Sequence, residues 1–246
     1  MNGKYLAFSL LLLVSMPSCD PETLNSILAT AGGAAGVGSI SNGEAIMGLK
    51  DALKQGANNG AGTVSKLNGY FGNPLIKIPL PPEAEPIVNT LSKVPGGQKL
   101  LDDAMLAINR AAEEAAKEAA PIFVSAITSM TISDGMDILF GEQDAATRYL
   151  ERTTTPQLTA KFSPVIDKTM ASTNATKYWG DVMNAYNKIP LVKKVNPDLG
   201  DFVTERALLG LFVMVEKEEQ KIRTNPGART TDMMKKVFGY YDSNKK

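Results

Sequence analysis

Along most of the 246-residue chain, apolar residues return every three or four positions, the spacing of a helix with one buried face. The pattern begins near Glu44, where Ile46, Leu49, Leu53 and Ala57 share a face, fades into the glycine-rich stretch from Asn59 to Gly62, and ends at Gly69. From Phe71 to Pro86 the sequence "FGNPLIKIPLPPEAEP" carries too many prolines for an α-helix. Ile76, Ile78 and Leu80 alternate there, which predicts an extended strip with one apolar edge, a strap lying across a helical body rather than a free proline-rich recognition peptide.

The helical spacing resumes from Gln98 to Ala120, with Leu101, Ala104, Met105, Ile108, Ala112, Ala115 and Ala119 in one stripe and Glu113 placed to pair with Lys117. Pro121 suits the first turn of a new helix, and Ile122 to Met130 is apolar enough to be buried on several sides. Shorter helices are predicted to start near Ser133, Asp144, Thr155 and Thr176, each a residue able to cap backbone N–H groups, with Pro156 just inside the third. Asn187 to Pro197 reads as a proline-bounded connector. The longest periodic segment, Asp198 to Arg223, is followed by a stop, a loop, a fresh cap at Thr230 or Thr231 and a closing amphipathic turn or two. Within it Ala207 to Val215 is apolar at every position but Gly210, as expected of a helix in the centre of a bundle. The predicted fold is all-α: a compact multi-helix bundle with a proline-rich extended strap, occupying residues 44–239 and followed by a polar tail at 240–246.

The ends of the chain change the picture. Lys4 precedes an apolar run from Tyr5 to Val14, about ten residues against the roughly 20 a bilayer-spanning helix needs. Cys19, the only cysteine, follows this run at the place where a signal is cut. The arrangement resembles a bacterial lipoprotein signal over residues 1–18, with Ser18 fitting the usual pattern and Met16 and Pro17 departing from it. The competing readings are an ordinary cleaved signal that leaves a free thiol and a cytosolic protein with an apolar N-terminus. Lipidation of Cys19 would hold the protein on an envelope membrane, since two or more acyl chains anchor almost permanently. Residues 19–43, dense in Gly, Ala, Ser and Asn, read as a flexible tether reaching about 85 Å when extended. Within it, Gly36-Val-Gly38 lacks the remainder of a phosphate-binding loop. Gly32 and Gly36 have the spacing of a small-residue helix contact.

Charge is balanced at 26 basic and 26 acidic residues, which offers nucleic acid no basic footprint. The chain has no histidine, so Ser-His and Cys-His nucleophile pairs are excluded, and with them the Cys/His clusters that hold structural zinc. No cofactor motif is present. Carboxylate chemistry would have to use Glu113 and Glu114, or Asp134 and Asp137 at i,i+3, although each pair also reads as a solvated face or a cap. Arg148 and Arg152 at i,i+4 could share an anion, but Asp144, one turn before Arg148, offers it a partner within a surface charge network. Arg229 beside Thr230 and Thr231 could form an anion site at a helix start or a tie to the preceding helix. Asn109 and Arg110, polar beside an alanine stripe, could be buried groups that fix helix register.

Four segments in order, "FGNPLIKIPLP", "NRAAEEAAKEAAPIFVSAITSM", "DGMDILFGEQDAATRYLERTT" and "ALLGLFVMVEKEEQKIRTNPGARTTDMMKKVFG", resemble the bacterial domain of unknown function family 4197. The resemblance covers roughly residues 48–239 and implies an exported, mainly helical envelope protein, without lending any catalytic residue. The family pattern more usually has alanine where Gly135 stands here, which should loosen that helix start. Two functions fit: a non-enzymatic module that binds an envelope protein or lipid, and a histidine-free hydrolase or lyase acting on envelope polymer through carboxylates.

Overall fold

Ser41 sets the start of the first helix, α1 (Asn42–Val64). Its hydroxyl accepts a hydrogen bond from the Glu44 N–H, and the Glu44 carboxylate accepts one from the Ser41 N–H. This cap lies at the beginning of what the computed structural model describes: residues 40–93, 95–172, 179, 187 and 199–244. The signal segment, Cys19, the glycine pairs of the tether, the helix start at Thr176 and the connector beyond Asn187 lie outside the described residues. Ile40 packs against the core, so the folded body begins a few residues earlier than residue 44.

After α1 come α2 (Glu85–Leu91), α3 (Gly97–Ala115), α4 (Ala119–Ser129), α5 (Ile132–Leu139), α6 (Ala145–Ala171), α7 (Leu199–Thr224) and α8 (Asp232–Asn244), with single 3-10 turns at Pro82–Ala84, Ala116–Glu118 and Pro226–Ala228. Among the described residues there is no β-strand, and the fold is all-α. α1 and α7 pack along each other, α6 lies between α7 and α3, α4 and α5 rest on α1 and α6, and α8 closes over α1. One continuous apolar core joins them.

Several predicted boundaries move, each for a physical reason. The glycine-rich stretch does not weaken α1, which runs unbroken to Val64. Buried Gly56, Gly60 and Ala61 let its backbone approach α7, where a Cβ on Gly60 would stand 3.0 Å from the Val215 side chain. The predicted helix from Gln98 to Ala120 is interrupted, because Pro121 has no N–H for the Lys117 carbonyl and the turn before α4 tightens to 3-10. α5 starts at a capping box between Thr131 and Asp134 rather than at Ser133. Gly135 is buried where Ile46 crosses it; a Cβ there would meet the flexible end of Ile46, so the glycine serves contact with α1.

The largest departure is at Thr155 and Pro156, where no helix starts. α6 runs through both Pro156 and Pro164. Both prolines are exposed, so the carbonyls they free, on Arg152 and Ala160, face the side where water can bond them. The hydroxyls of Thr154 and Thr155 bond back to the carbonyls of Leu150 and Glu151. On the inner side Ala146, Leu150, Thr154, Leu158, Phe162, Ile166 and Met170 are all buried. At the other end of the chain α8 continues to Asn244 and buries Tyr241, so most of the segment read as a polar tail is helical.

Candidate functional site

The polar residues singled out on α3 converge on the strap. Asn109 is wholly buried; its Oδ1 accepts from the Ile78 N–H at 2.9 Å, and its Nδ2 donates to the Ile78 carbonyl at 2.8 Å and to the Met105 carbonyl at 2.8 Å. A single amide thus supplies the partners an extended strand would have supplied. One turn on, Glu113 accepts from the N–H groups of Tyr70 and Phe71, both at 3.1 Å, and its other oxygen pairs with Arg110. Arg110 also donates to Asn68 Oδ1 at 2.8 Å, helping to hold Asn68 in its left-handed turn at φ 65°. Lys117, the expected partner of Glu113, pairs with Glu114 instead, because the strap has taken the Glu113 carboxylate. The far side of the strap is fixed by the Tyr70 hydroxyl, which donates to the Ala207 carbonyl on α7 at 2.6 Å. Burial and, after it, the Glu113 charge push the Tyr70 hydroxyl far above its ordinary pKa, so it remains a donor.

A second clamp joins α7 to the α5–α6 junction. Glu219 accepts from the N–H groups of Ala146 and Thr147 and from the Thr147 hydroxyl, at 2.8 to 3.0 Å, and so caps the start of α6 from another helix. Arg223, one turn on and 2.9 Å from Glu219, donates to the Ile138 carbonyl at 2.8 Å at the end of α5. Sequence reading did not single out either residue. Their i,i+4 spacing was visible, but nothing local distinguishes them from neighbouring surface charges. Arg229 does not face a helix start: it donates to the carbonyls of Ile222 and Arg223 at the end of α7, pairs with Asp242 at 2.7 Å and lies 5.3 Å from the Phe238 ring centre.

Arg148 and Arg152 border an open cleft of about 320 Å³ between α5 and α6, with Asp134, Asp137, Glu142 and Tyr149. The two guanidinium groups engage separate partners, Arg148 with Asp144 and Arg152 over the Tyr149 ring at 5.7 Å. The Thr131 hydroxyl and N–H hold the Asp134 carboxyl below the usual carboxylate range, and the Arg152 charge adds to this. Asp134 is therefore an ionised helix cap at neutral pH.

The cleft that sequence reading missed lies between α6 and α7. It measures about 360 Å³ and is lined by Glu151, Thr155 and Thr159 from α6 and by Asp201, Thr204, Glu205, Leu208, Leu209 and Phe212 from α7. Leu209 lies in the segment expected to be buried all round, yet it is 45% exposed. A signal for this was present, since Glu205, Arg206 and Glu216 stand at i−4, i−3 and i+7 on the same helical face. Leu209 also borders a smaller hollow of about 150 Å³ beside the strap, with Leu75 and Val213. Thr204 on the cleft wall is 4% exposed, and its hydroxyl has no hydrogen-bond partner among the described residues.

A family model described as Protein of unknown function (DUF4197) matches residues 39–239. No curated protein matches the chain, and no solved structure does.

Proposed function

The chain belongs to the DUF4197 family, and from that premise we propose that it is a bacterial envelope lipoprotein that works as a non-enzymatic binding module, with the α6–α7 cleft as its binding face. The observation that carries this reading is the exposed Leu209 between two hollows, an apolar side chain on the central helix that the rest of the bundle leaves open. Three of the four carboxylates named for the hydrolase alternative are otherwise engaged, Glu114 by Lys117, while Asp137 is exposed on the α5–α6 cleft beside Arg148 and Arg152. Glu113 holds the strap and pairs with Arg110, and Asp134 is an ionised cap that has no proton to give at neutral pH.

The anchor rests on the position of Cys19 after the short apolar run. Metabolic labelling with an alkynyl fatty acid in the native host should tag the wild-type chain and leave Cys19→Ala untagged; equal labelling of both would end the anchor argument. For the cleft, native mass spectrometry of full-length protein extracted from its own envelope should show a retained mass or a bound protein that Leu209→Asp loses. Retention by the variant would place binding elsewhere.

A further inference from the structure

The geometry points to a basic amphipathic helix of a partner protein as the occupant of the α6–α7 cleft, an inference that rests on the reading of that cleft as the binding face. Its apolar face would meet Leu209, and its lysines or arginines would meet Glu151 and Glu205. Three features select this occupant. The first is shape. Residues 201–212 of α7 span about 16 Å along the cleft and residues 151–159 of α6 about 12 Å, at 1.5 Å per residue, so the trough is roughly as long as two to three helical turns. Leu209 is the exposed apolar contact on the floor of this trough, and Phe212, three residues on along the same helix, closes the floor beneath it.

The second feature is charge. Two carboxylates line the cleft from opposite walls, Glu151 on α6 and Glu205 on α7, and no ion pair to either forms among the described residues. The carboxylate rim of the cleft, on the side of Leu209 away from Lys77 and Arg206, is complementary to a helix with leucines on one face and cations along the edge that lies over the cleft. The same rim repels the anionic surface of a membrane, which disfavours a lipid bilayer as the occupant. Among the described residues no group of three such side chains is arranged to hold a metal ion. The third feature is Thr204, whose hydroxyl lies just beneath the cleft wall and has no hydrogen-bond partner among the described residues, an unmet polar group that a donor reaching through the wall would satisfy.

The test uses full-length protein in phosphatidylcholine nanodiscs, with empty nanodiscs as the blank. The probe is a fluorescein-labelled leucine/lysine helical peptide of about 14 residues, four turns, with a benzophenone on its apolar face. A leucine/glutamate peptide of equal length is the control. The lysine peptide should bind and crosslink to α6 and α7, and the glutamate peptide should not. Reversing two exposed rim charges together, Glu151→Lys with Glu205→Lys, should weaken binding about tenfold or more, steeply so at low salt. Leu209→Asp should do the same, while Leu100→Asp, which alters an equally exposed leucine on α3, should change nothing. Circular dichroism verifies that each variant is folded. Crosslinks elsewhere, equal binding of the two peptides, or indifference to the charge reversal would overturn the inference. If neither peptide binds while native mass spectrometry finds a small molecule lost in Leu209→Asp, the helical occupant is wrong and the cleft remains the binding face. If neither peptide nor small molecule depends on the cleft, both readings fall.

Discussion

Glu219→Ala is the sharpest test of how the bundle is held together. The substitution removes the acceptor of two N–H groups at the start of α6, of the Thr147 hydroxyl and of Arg223. The Arg223 side chain is only 3% exposed, so its charge would be left without its carboxylate in the interior. Breaking a buried pair from one side costs about 3–5 kcal/mol. Against a total stability of about 5–15 kcal/mol that is a large fraction. At about 2–4 °C per kcal/mol for a domain of this size, the midpoint should fall by about 6–20 °C. Thermal melting followed by far-UV circular dichroism reads the midpoint, and urea denaturation reads the free energy. The pair Glu219→Leu with Arg223→Met removes both charges and should recover part of the loss, because the surviving penalty is then the uncapped ends of α5 and α6. A single substitution that costs less than about 1 kcal/mol, the level of an exposed pair, would refute the reasoning. So would a double variant less stable than the single one.

The remaining predictions concern the strap and the joint between α1 and α8. Asn109→Ala should leave the Ile78 N–H and carbonyl unpaired at about 1–3 kcal/mol each; hydrogen exchange at Ile78 should accelerate, and unchanged protection would mean the strap is held by its apolar edge alone. Tyr70→Phe removes one buried hydrogen bond to Ala207 and should cost about 1 kcal/mol in urea, with no cost meaning that packing of the ring suffices. Glu44 pairs with Lys236 on α8, and that hydrogen bond, followed by those from Ser41, lowers its carboxyl from 4.5 to about 2. Unfolding therefore takes up a proton in this window, so the contribution is complete above pH 4.5 and is lost as pH falls through about 2. Glu44→Gln should flatten the acid limb of stability between those values, and an unchanged limb would remove Glu44 from the acid response.

Strength of local signal separates what could be read in the chain from what could not. The alanine stripe of α3, the break at Pro121, the cap at Thr231 and the extended strip at 77–81 all follow from residues within a few positions of each other. Each depends on φ, on a cap or on a short repeat. The expected strap is shorter than Phe71 to Pro86: turns precede it, and Pro82 and Pro86 sit at the starts of the 3-10 turn and of α2, where a proline lacks no needed N–H. Asn109 and Arg110 stood out because polar groups beside alanines must find partners, although which partners they find depends on a strap some 31 to 42 residues away.

α6 shows why local reading fails elsewhere. Its buried positions, from Ala146 to Met170, recur every four residues, and each step advances about 40° around a helix of 3.6 residues per turn. The buried stripe therefore winds around the axis, from one set of neighbours to the next, and blurs the fixed face that periodicity detects. Two prolines then mark a break where tertiary contacts carry the helix through. Glu219 and Arg223 look like surface charges until the ends of α5 and α6 arrive beside them.

By itself the sequence determined an all-helical class, the extended centre of the strap and most helix ends, since these rest on backbone geometry and nearby side chains. It also excluded histidine chemistry outright. The tertiary structure decided which polar groups became internal clamps and that one face of α7 stays uncovered at Leu209. Burial and hydrogen-bond partnership are properties of whatever packs alongside, and spacing along one chain segment does not contain them.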